Sequence, residues 1–289
     1  MSTRPRVTVL MRCRNDAAWL PGVLGALRTQ TMPLGTDVEL LAFDNASTDA
    51  SRRLLADAGA TVHDVPAGTY NPGRVLNRGV RLARGALIVF LNSDCEPTRA
   101  DFLERLVAPL QADEADAVYG RQLPRPGADA LVRLDHARAY GAAPPRWGPF
   151  FSLAAAAMPR ALLVRRPLPE HVQYSEDLAW AVAAQRDGLR IRYVPEACVY
   201  HSHAYDLRQT WRRRFEEGRA DAVIFAGGGR PTGVVRTAVG WGRDVLRDAA
   251  WCLPRGEIAA LCRAPLVRGV QRLAYLAGRR VGPRRDLSA

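Results

Sequence analysis

The chain has 289 residues, 48% of them hydrophobic and 24% charged, which excludes a disordered or low-complexity protein and allows a sizeable core. The formal net charge is +12 and all 41 basic residues are Arg, so a single Arg carries little weight as a sign of anion binding. Five scattered cysteines (Cys13, Cys95, Cys198, Cys252 and Cys262) without a CxxC pair exclude a disulfide framework and fit free thiols in a reducing compartment.

The opening MSTRPRVTVLMRCRND has no long apolar stretch and no small-residue cleavage site, so no signal peptide is expected. Arg6–Met11 (RVTVLM) reads as a first strand, ended by the polar turn RCRND, and a helix follows from about Ala18 to Gln30. Val38–Phe43 (VELLAF) is a second strand, ended by DNASTD. Ser51–Ala58 is helical and Thr61–Val65 a short strand. Gly73–Ala83 is a helix framed by Asn71-Pro72 and Gly85. Ala86–Asn92 (ALIVFLN) is the most apolar strand, Asp101–Ala112 a helix, and Ala117–Tyr119 a further strand.

From Arg121 to Gln173 the pattern loosens into Pro-, Gly- and Ala-rich loops around one helix near Leu131–Tyr140. Asp177–Asp187 is a helix ending at Gly188, and Arg190–Tyr200 is a strand followed by His201-Ser202-His203. A helix then runs from about Leu207 to Arg219. No run approaches the ~18 apolar residues of a membrane span. From Ala204 to Ala289 there are 17 Arg against 8 acids, a surplus of nine, while the rest of the chain is nearly balanced. In Val234–Cys252, taken as a helix, Arg236, Arg243 and Arg247 share one face, with Val235, Ala238, Val245, Leu246 and Ala249 on the far side. A helix docked on an anionic surface and a helix packed on its own domain with solvated arginines both fit that pattern.

Strands alternating with helices imply an α/β fold with a mainly parallel sheet, whose ligands bind beyond the carboxyl ends of the strands. The polar residues there are Arg12–Asp16, Asp44–Asp49 and Asn92–Glu96. Asp94, after a strongly apolar strand, suits either a Mg²⁺ or Mn²⁺ ligand or a cap for a helix starting near Pro97. In DNASTD, Ser47 or Thr48 can cap the next helix while Asp44 bonds a base or ribose. Arg74 and Asn77 lie on successive turns of one helix, with Arg74 near its anion-favouring N-terminus. The pair Glu176-Asp177 opens a helix, where acids suit the dipole and where a general base could also sit. His201 and His203, two apart on a strand end, project to one side and suit metal or diphosphate binding.

Taken together, VTVLMRCRND, FDNASTD, NPGRVLNRGVRLARGALIVFLNSDCEP and SEDLAWAVAAQRDGLRIRYVPEACVYHSH resemble glycosyltransferase family 2, with the GT-A fold, over about Pro5 to Gly218. RCRND, GRQLPRP and YHSHAYDLRQTWRRRFEEG look most like bacterial rhamnosyltransferase-type members. The resemblance implies a transferase domain over 1–219, with a nucleotide-binding half to about residue 120, and a basic helical extension over 220–289. It implies that Arg12, Arg14, Asn15 and Asp44 touch the nucleobase and ribose, and that Arg74, Asn77 and Ser93 flank the nucleotide. Asp94 would be the last Asp of the family's DxD motif, with His201 or His203 completing the metal or diphosphate site. Asp177, beside Glu176, would be the catalytic base of an inverting displacement. The first acid of DxD is Asn92 here, which removes one negative charge from the ion's surroundings.

The implied cofactor is a divalent metal, Mg²⁺ or Mn²⁺. The implied partners are a nucleoside-diphosphate sugar and a glycan or lipid-linked acceptor at the cytoplasmic face of a membrane, with no nucleic acid. A nucleotidyltransferase or a dinucleotide-dependent oxidoreductase would want a Gly-rich turn after the first strand, and RCRND has no glycine. A non-catalytic binding module is the remaining alternative; in it the acids would be caps and the basic tail the working surface.

Overall fold

The computed structural model describes residues 5–145, 150–226 and 233–282. In chain order the first elements are β1 (Val7–Cys13), α1 (Leu20–Arg28), β2 (Val38–Asp44), α2 (Ser51–Asp57), β3 (Thr61–Asp64) and α3 (Pro72–Leu82). There follow β4 (Leu87–Leu91), β5 (Glu96–Pro97), α4 (Phe102–Gln111), β6 (Ala117–Leu123), α5 (Ala130–Ala139), β7 (Ala155–Pro159) and α6 (Arg160–Arg165). The last are α7 (Glu176–Arg186), β8 (Ile191–Tyr200), α8 (Leu207–Ile224), α9 (Val234–Cys252) and α10 (Ile258–Val281).

These elements fall into two units, each gathered from separate stretches of chain. One comprises Met1–Arg125, Ala139–His171 and Glu176–His201; the other comprises Pro126–Arg138, Val172–Ser175 and Ser202–Ala289. The first unit holds an eight-stranded sheet in the order β3-β2-β1-β4-β7-β6-β8-β5. The four strands β3, β2, β1 and β4 are parallel, as are β6 and β8. β7 runs antiparallel to both β4 and β6, and β5 antiparallel to β8, so the sheet is mixed, with six of its eight strands running one way.

The sheet is buried on both faces, and the strands alternate between them. Val7, Val9, Met11, Val38, Leu40, Ala42, Val89 and Leu91 face one layer, where Leu20, Val23 and Leu27 of α1 and Phe102, Leu103 and Leu106 of α4 cover them. Leu10, Leu41, Phe43, Ile88 and Phe90 face the other, under Val75, Leu76 and Val80 of α3 and Trp180 and Ala181 of α7. Register then sets the site. Cys13 pairs with Asp44 and Leu10 with Phe90, so the polar turns after β1, β2 and β4 emerge at one edge.

β7 lies in the stretch that reads as loop. Its sequence AAAMP has almost no strand propensity; burial between β4 and β6 makes it a strand. α3 follows its local signals closely. Asn71 accepts a hydrogen bond from the Arg74 amide at 2.8 Å, and Pro72 opens the helix. Gly73 is required by close approach, because a Cβ there would lie 2.2 Å from the Pro169 carbonyl oxygen.

The second unit is helical. A capping box between Asp206 and Gln209 starts α8. α8 and α10 cross closely at Gly218 and Gly278, where a Cβ would meet the Tyr275 and Phe215 carbonyls at 2.2 and 2.0 Å. At its centre Arg268, only 3% exposed, is held by Asp248 and Asp135. No described helix is long and apolar enough to cross a membrane.

Candidate active site

The turns after β1 and β2 are laced together. The Asn15 amide donates to Ser47 Oγ at 2.9 Å, and the Thr48 amide donates to Asn15 Oδ1 at 2.8 Å. Both turns contain a residue in the left-handed region, Asn15 at φ 57° and Ala46 at φ 51°. The cross-links hold that backbone against its conformational cost. Ser47 and Thr48 therefore do not cap α2; its N-cap residue is Ala50, and the amide of its first residue, Ser51, donates to Asp49 Oδ1 at 2.9 Å. Asp44 is 3% exposed; its Oδ2 accepts from the Ser47 amide, while its Oδ1 is buried with no hydrogen-bond partner among the described residues. A buried carboxylate oxygen left this way is poised for a donor from outside the chain. Arg14 is exposed, its amide donating to Asp16. Ser93 Oγ lies 2.5 Å from Asp16 Oδ2 and 2.8 Å from the Arg12 carbonyl, tying the β4 turn to the β1 turn.

Arg12 is the hub of the next group. Its guanidinium donates to Glu176 Oε1 at 2.6 Å, and to Tyr70 Oη and Asn92 Oδ1 at 3.3 Å each. Burial opposes its charge, but the Glu176 carboxylate and its neighbours hold its pKa above the ordinary value. The departure from DxD gains a physical reading here. Asn92 turns its carbonyl to Arg12, where an Asp would add a third acid beside Glu176 and Asp177.

Asp177 is half-buried, with Oδ1 accepting from the Leu178 amide at 2.8 Å and Oδ2 from the Leu153 amide at 3.4 Å. Burial, then the charge of Glu176, push its pKa up to about 6, against those two amides and Arg12. A carboxylate whose proton affinity is raised toward neutrality is what general-base chemistry needs.

Asp94, 8% exposed, faces His201, with Oδ2 3.5 Å from Nε2. Gln122 sets the tautomer of that ring. Its Nε2 donates to Ser152 Oγ at 2.9 Å, which turns its Oε1 to His201 Nδ1 at 2.6 Å. Nδ1 must then carry a proton, which leaves Nε2 as the ring nitrogen that faces Asp94. A carboxylate and an imidazole nitrogen converging this way, with the second ring nitrogen hydrogen-bonded, form a donor set suited to Mg²⁺ or Mn²⁺. His203 belongs to the second unit, where its ring stacks on Tyr205 at 5.1 Å. The helix-cap alternative for Asp94 fails, because the chain enters β5 at Glu96 and the next helix starts at Phe102.

Arg74 is exposed and lies 3.6 Å from Glu170. Asn77 is buried, and its amide is spent within the fold. Nδ2 donates to the Leu168 carbonyl and to Glu170 Oε1, and Oδ1 accepts from the Leu168 amide. It pins the segment that Gly73 packs against.

Sequence reasoning missed Gln122, Arg125 and Trp19. Arg125 donates to the Asp94 carbonyl and lies 3.9 Å above the Trp19 ring. Its only sequence signal was its place in GRQLPRP, and so many arginines drown that signal. Gln122 sits inside a strand, and its place in GRQLPRP was likewise its only sequence signal.

A sheet edge that gathers a base-like acid, a carboxylate–imidazole pair and an orphaned carboxylate oxygen, on this strand order, defines a glycosyltransferase of the GT-A fold. The family model for glycosyl transferase family 2 matches residues 8–165, more than half the chain, and the protein belongs to that family. The O-antigen chain rhamnosyltransferase RfbN of Salmonella typhimurium is 26% identical over 281 residues, covering 89% of this chain and 87% of the relative. The O-antigen chain rhamnosyltransferase WbaN of Salmonella anatum is 26% identical over 252 residues, covering 78% and 77%. Among solved structures, a mannosyltransferase from Pyrobaculum calidifontis in complex with GDP-Man and Mn²⁺ superposes with a TM-score of 0.64. It is 22% identical and covers 97% of this chain and 87% of its own.

Proposed function

We propose that the protein transfers a sugar, with inversion, from a nucleoside-diphosphate sugar to a hydroxyl of a glycan or lipid-linked acceptor at the cytoplasmic face of a membrane. The single observation that carries this reading is Asp177, half-buried and raised toward neutrality beside Glu176. The rhamnosyltransferase relatives support a deoxyhexose donor and a growing polysaccharide as acceptor.

In this mechanism Asp177 takes the proton of the acceptor hydroxyl as its oxygen bonds the anomeric carbon. The bond from that carbon to the diphosphate breaks, and the nucleoside diphosphate leaves with the electron pair. Glu176 raises the basicity of Asp177, and Arg12 keeps the two acids from repelling each other out of place. Asp44 bonds the base through its orphaned oxygen, with Arg14 and Asn15 beside it. Arg74 meets the diphosphate, Asn77 holds the neighbouring segment, and Ser93 fixes the turn that carries Asp94. Asp94 and His201 would hold a divalent cation, which would supply charge neutralisation to the diphosphate.

The test is Asp177→Asn, assayed against a panel of nucleotide sugars. Turnover is expected to fall about 10²–10⁴-fold, while thermal stabilisation by the nucleoside diphosphate survives. Undiminished turnover would remove Asp177 from its role.

A further inference from the structure

An amphipathic helix in a soluble unit buries its apolar face and solvates its charges. α9 does the reverse. Val235, Val239, Leu246 and Leu253 are 78%, 66%, 74% and 57% exposed. At 3.6 residues per turn they fall within about 40° of one another. The residues turned inward are Gly240, Asp248 and Cys252, with Asp244 on the same side. Asp248 is paired with Arg268, and Asp244 with Arg247 and Arg272. Arg247, on the arginine face, turns toward Asp244, and Val235 and Leu246, on the far side, face solvent.

The charge pattern identifies what this stripe fits. Both acids of α9 are used inside the unit. The charges left on its outer surface are Arg236 and Arg243, both exposed and without an ion pair among the described residues. They lie about 80–100° round the helix from Val235, along one border of the stripe. Ala238, Gly242 and Ala249 line the other border. Trp241, 40% exposed, donates its indole N–H to the Pro265 carbonyl and keeps part of its ring in solvent. α10, packed against α9, repeats the pattern with Ile258, Leu266 and Leu273, each more than half exposed. A row of branched aliphatics with a cationic border and no outward acid fits a flat surface that is apolar beneath and anionic above.

We propose that the outward stripe of α9 docks the protein on an anionic lipid bilayer, with its aliphatic side chains below the headgroups and Arg236 and Arg243 at the phosphate level. The proposal stands on the helix's own exposure and charge, independently of the assignment of Asp177.

The experiment is co-sedimentation of the full chain with phosphatidylcholine vesicles, with and without phosphatidylglycerol, at low and high salt. Binding is expected only to the phosphatidylglycerol vesicles and should weaken with salt. The double variant Val239→Asp with Leu246→Asp should lower partitioning at least ~100-fold. Arg236→Gln with Arg243→Gln should lower it about 25-fold, from the usual contribution of each basic residue near an anionic surface. All these side chains are exposed, so melting temperatures should stay unchanged and a folding defect would show. Absence of binding by the unaltered protein, or equal binding by the aspartate variant, overturns the proposal. So does a dimer that the aspartate variant converts to monomer while vesicles capture neither, because the stripe would then cover a second copy of the chain.

Discussion

Both units of the molecule bury charge, but they do so to different ends. In the helical unit, Arg268 makes four hydrogen bonds of 2.6–3.2 Å to Asp248 and Asp135. Asp244 is half-buried, yet the bonds from Arg247 and Arg272 hold its pKa below the ordinary value against that burial. In this cluster Asp135, Asp244 and Asp248 each have an arginine. In the sheet unit the balance is short by one. Glu176 and Asp177 share the influence of a single guanidinium, Arg12, and Asp177 is left with a raised proton affinity. The residue types are the same; the ratio of donors to acceptors separates a packing device from a reactive one.

The sharpest way to break this contrast is to remove the base from the balanced cluster. Arg268→Met leaves Asp248, 0% exposed, without its partner. The expected cost is about 3–5 kcal/mol, a fall in melting temperature of about 10 °C. The folded fraction should turn over at the normal rate. A loss of kcat with normal melting would show that this cluster also serves the chemistry.

In the short-handed cluster, Glu176→Gln should cost less stability, about 2 kcal/mol, because Arg12 keeps Asn92 and Tyr70. The informative readout is pH. The Glu176 charge helps hold the Asp177 pKa up, so the acid limb of kcat/KM should move to lower pH in the variant. An unmoved limb would mean that the two acids do not share the site's charge.

Gln122→Ala tests a smaller, positional effect. Without the Gln122 oxygen, His201 is no longer held in one tautomer, and Mn²⁺ affinity measured by calorimetry should fall about 10–100-fold. Unchanged affinity would separate His201 from the ion.

Which parts of this were legible in sequence follows from the range of the forces involved. The strands β1, β2 and β4 and the helix α3 are written locally, in apolar runs, caps and breakers. The polar turns at their ends could be located for the same reason. β7 could not, since its alanines become a strand only between two neighbours far away in sequence. The pairing of Arg12 with Glu176, 164 residues apart, has no local signature. Nor does the outward apolar stripe of α9. Helical periodicity shows that two faces exist, but which one is buried depends on Asp135, Arg268 and Arg272 elsewhere in the unit.

The smallest effect tests the contrast most directly, because its sign differs between the units. Asp177 has its pKa raised to about 6 in the folded protein. Between the ordinary carboxyl range and that value, the folded state holds a proton that the unfolded state releases. Stability therefore falls as pH rises through this window, and the penalty is complete above it. Asp177→Asn removes the charge and keeps one oxygen, which can accept from the Leu178 amide, bonded at 2.8 Å in the parent, and gives up only the longer 3.4 Å bond from the Leu153 amide. The variant should be more stable than the parent by about 1 kcal/mol at pH 8, or ~2–4 °C in melting temperature. That advantage should vanish near pH 4, where the parent carboxyl is protonated in both states. Losing the Asp177 charge thus stabilises the sheet unit, whereas losing the Arg268 charge destabilises the helical one. A melting difference that is the same at both pH values would show that Asp177 is not strained by its surroundings, and the contrast between the two clusters would lose its basis.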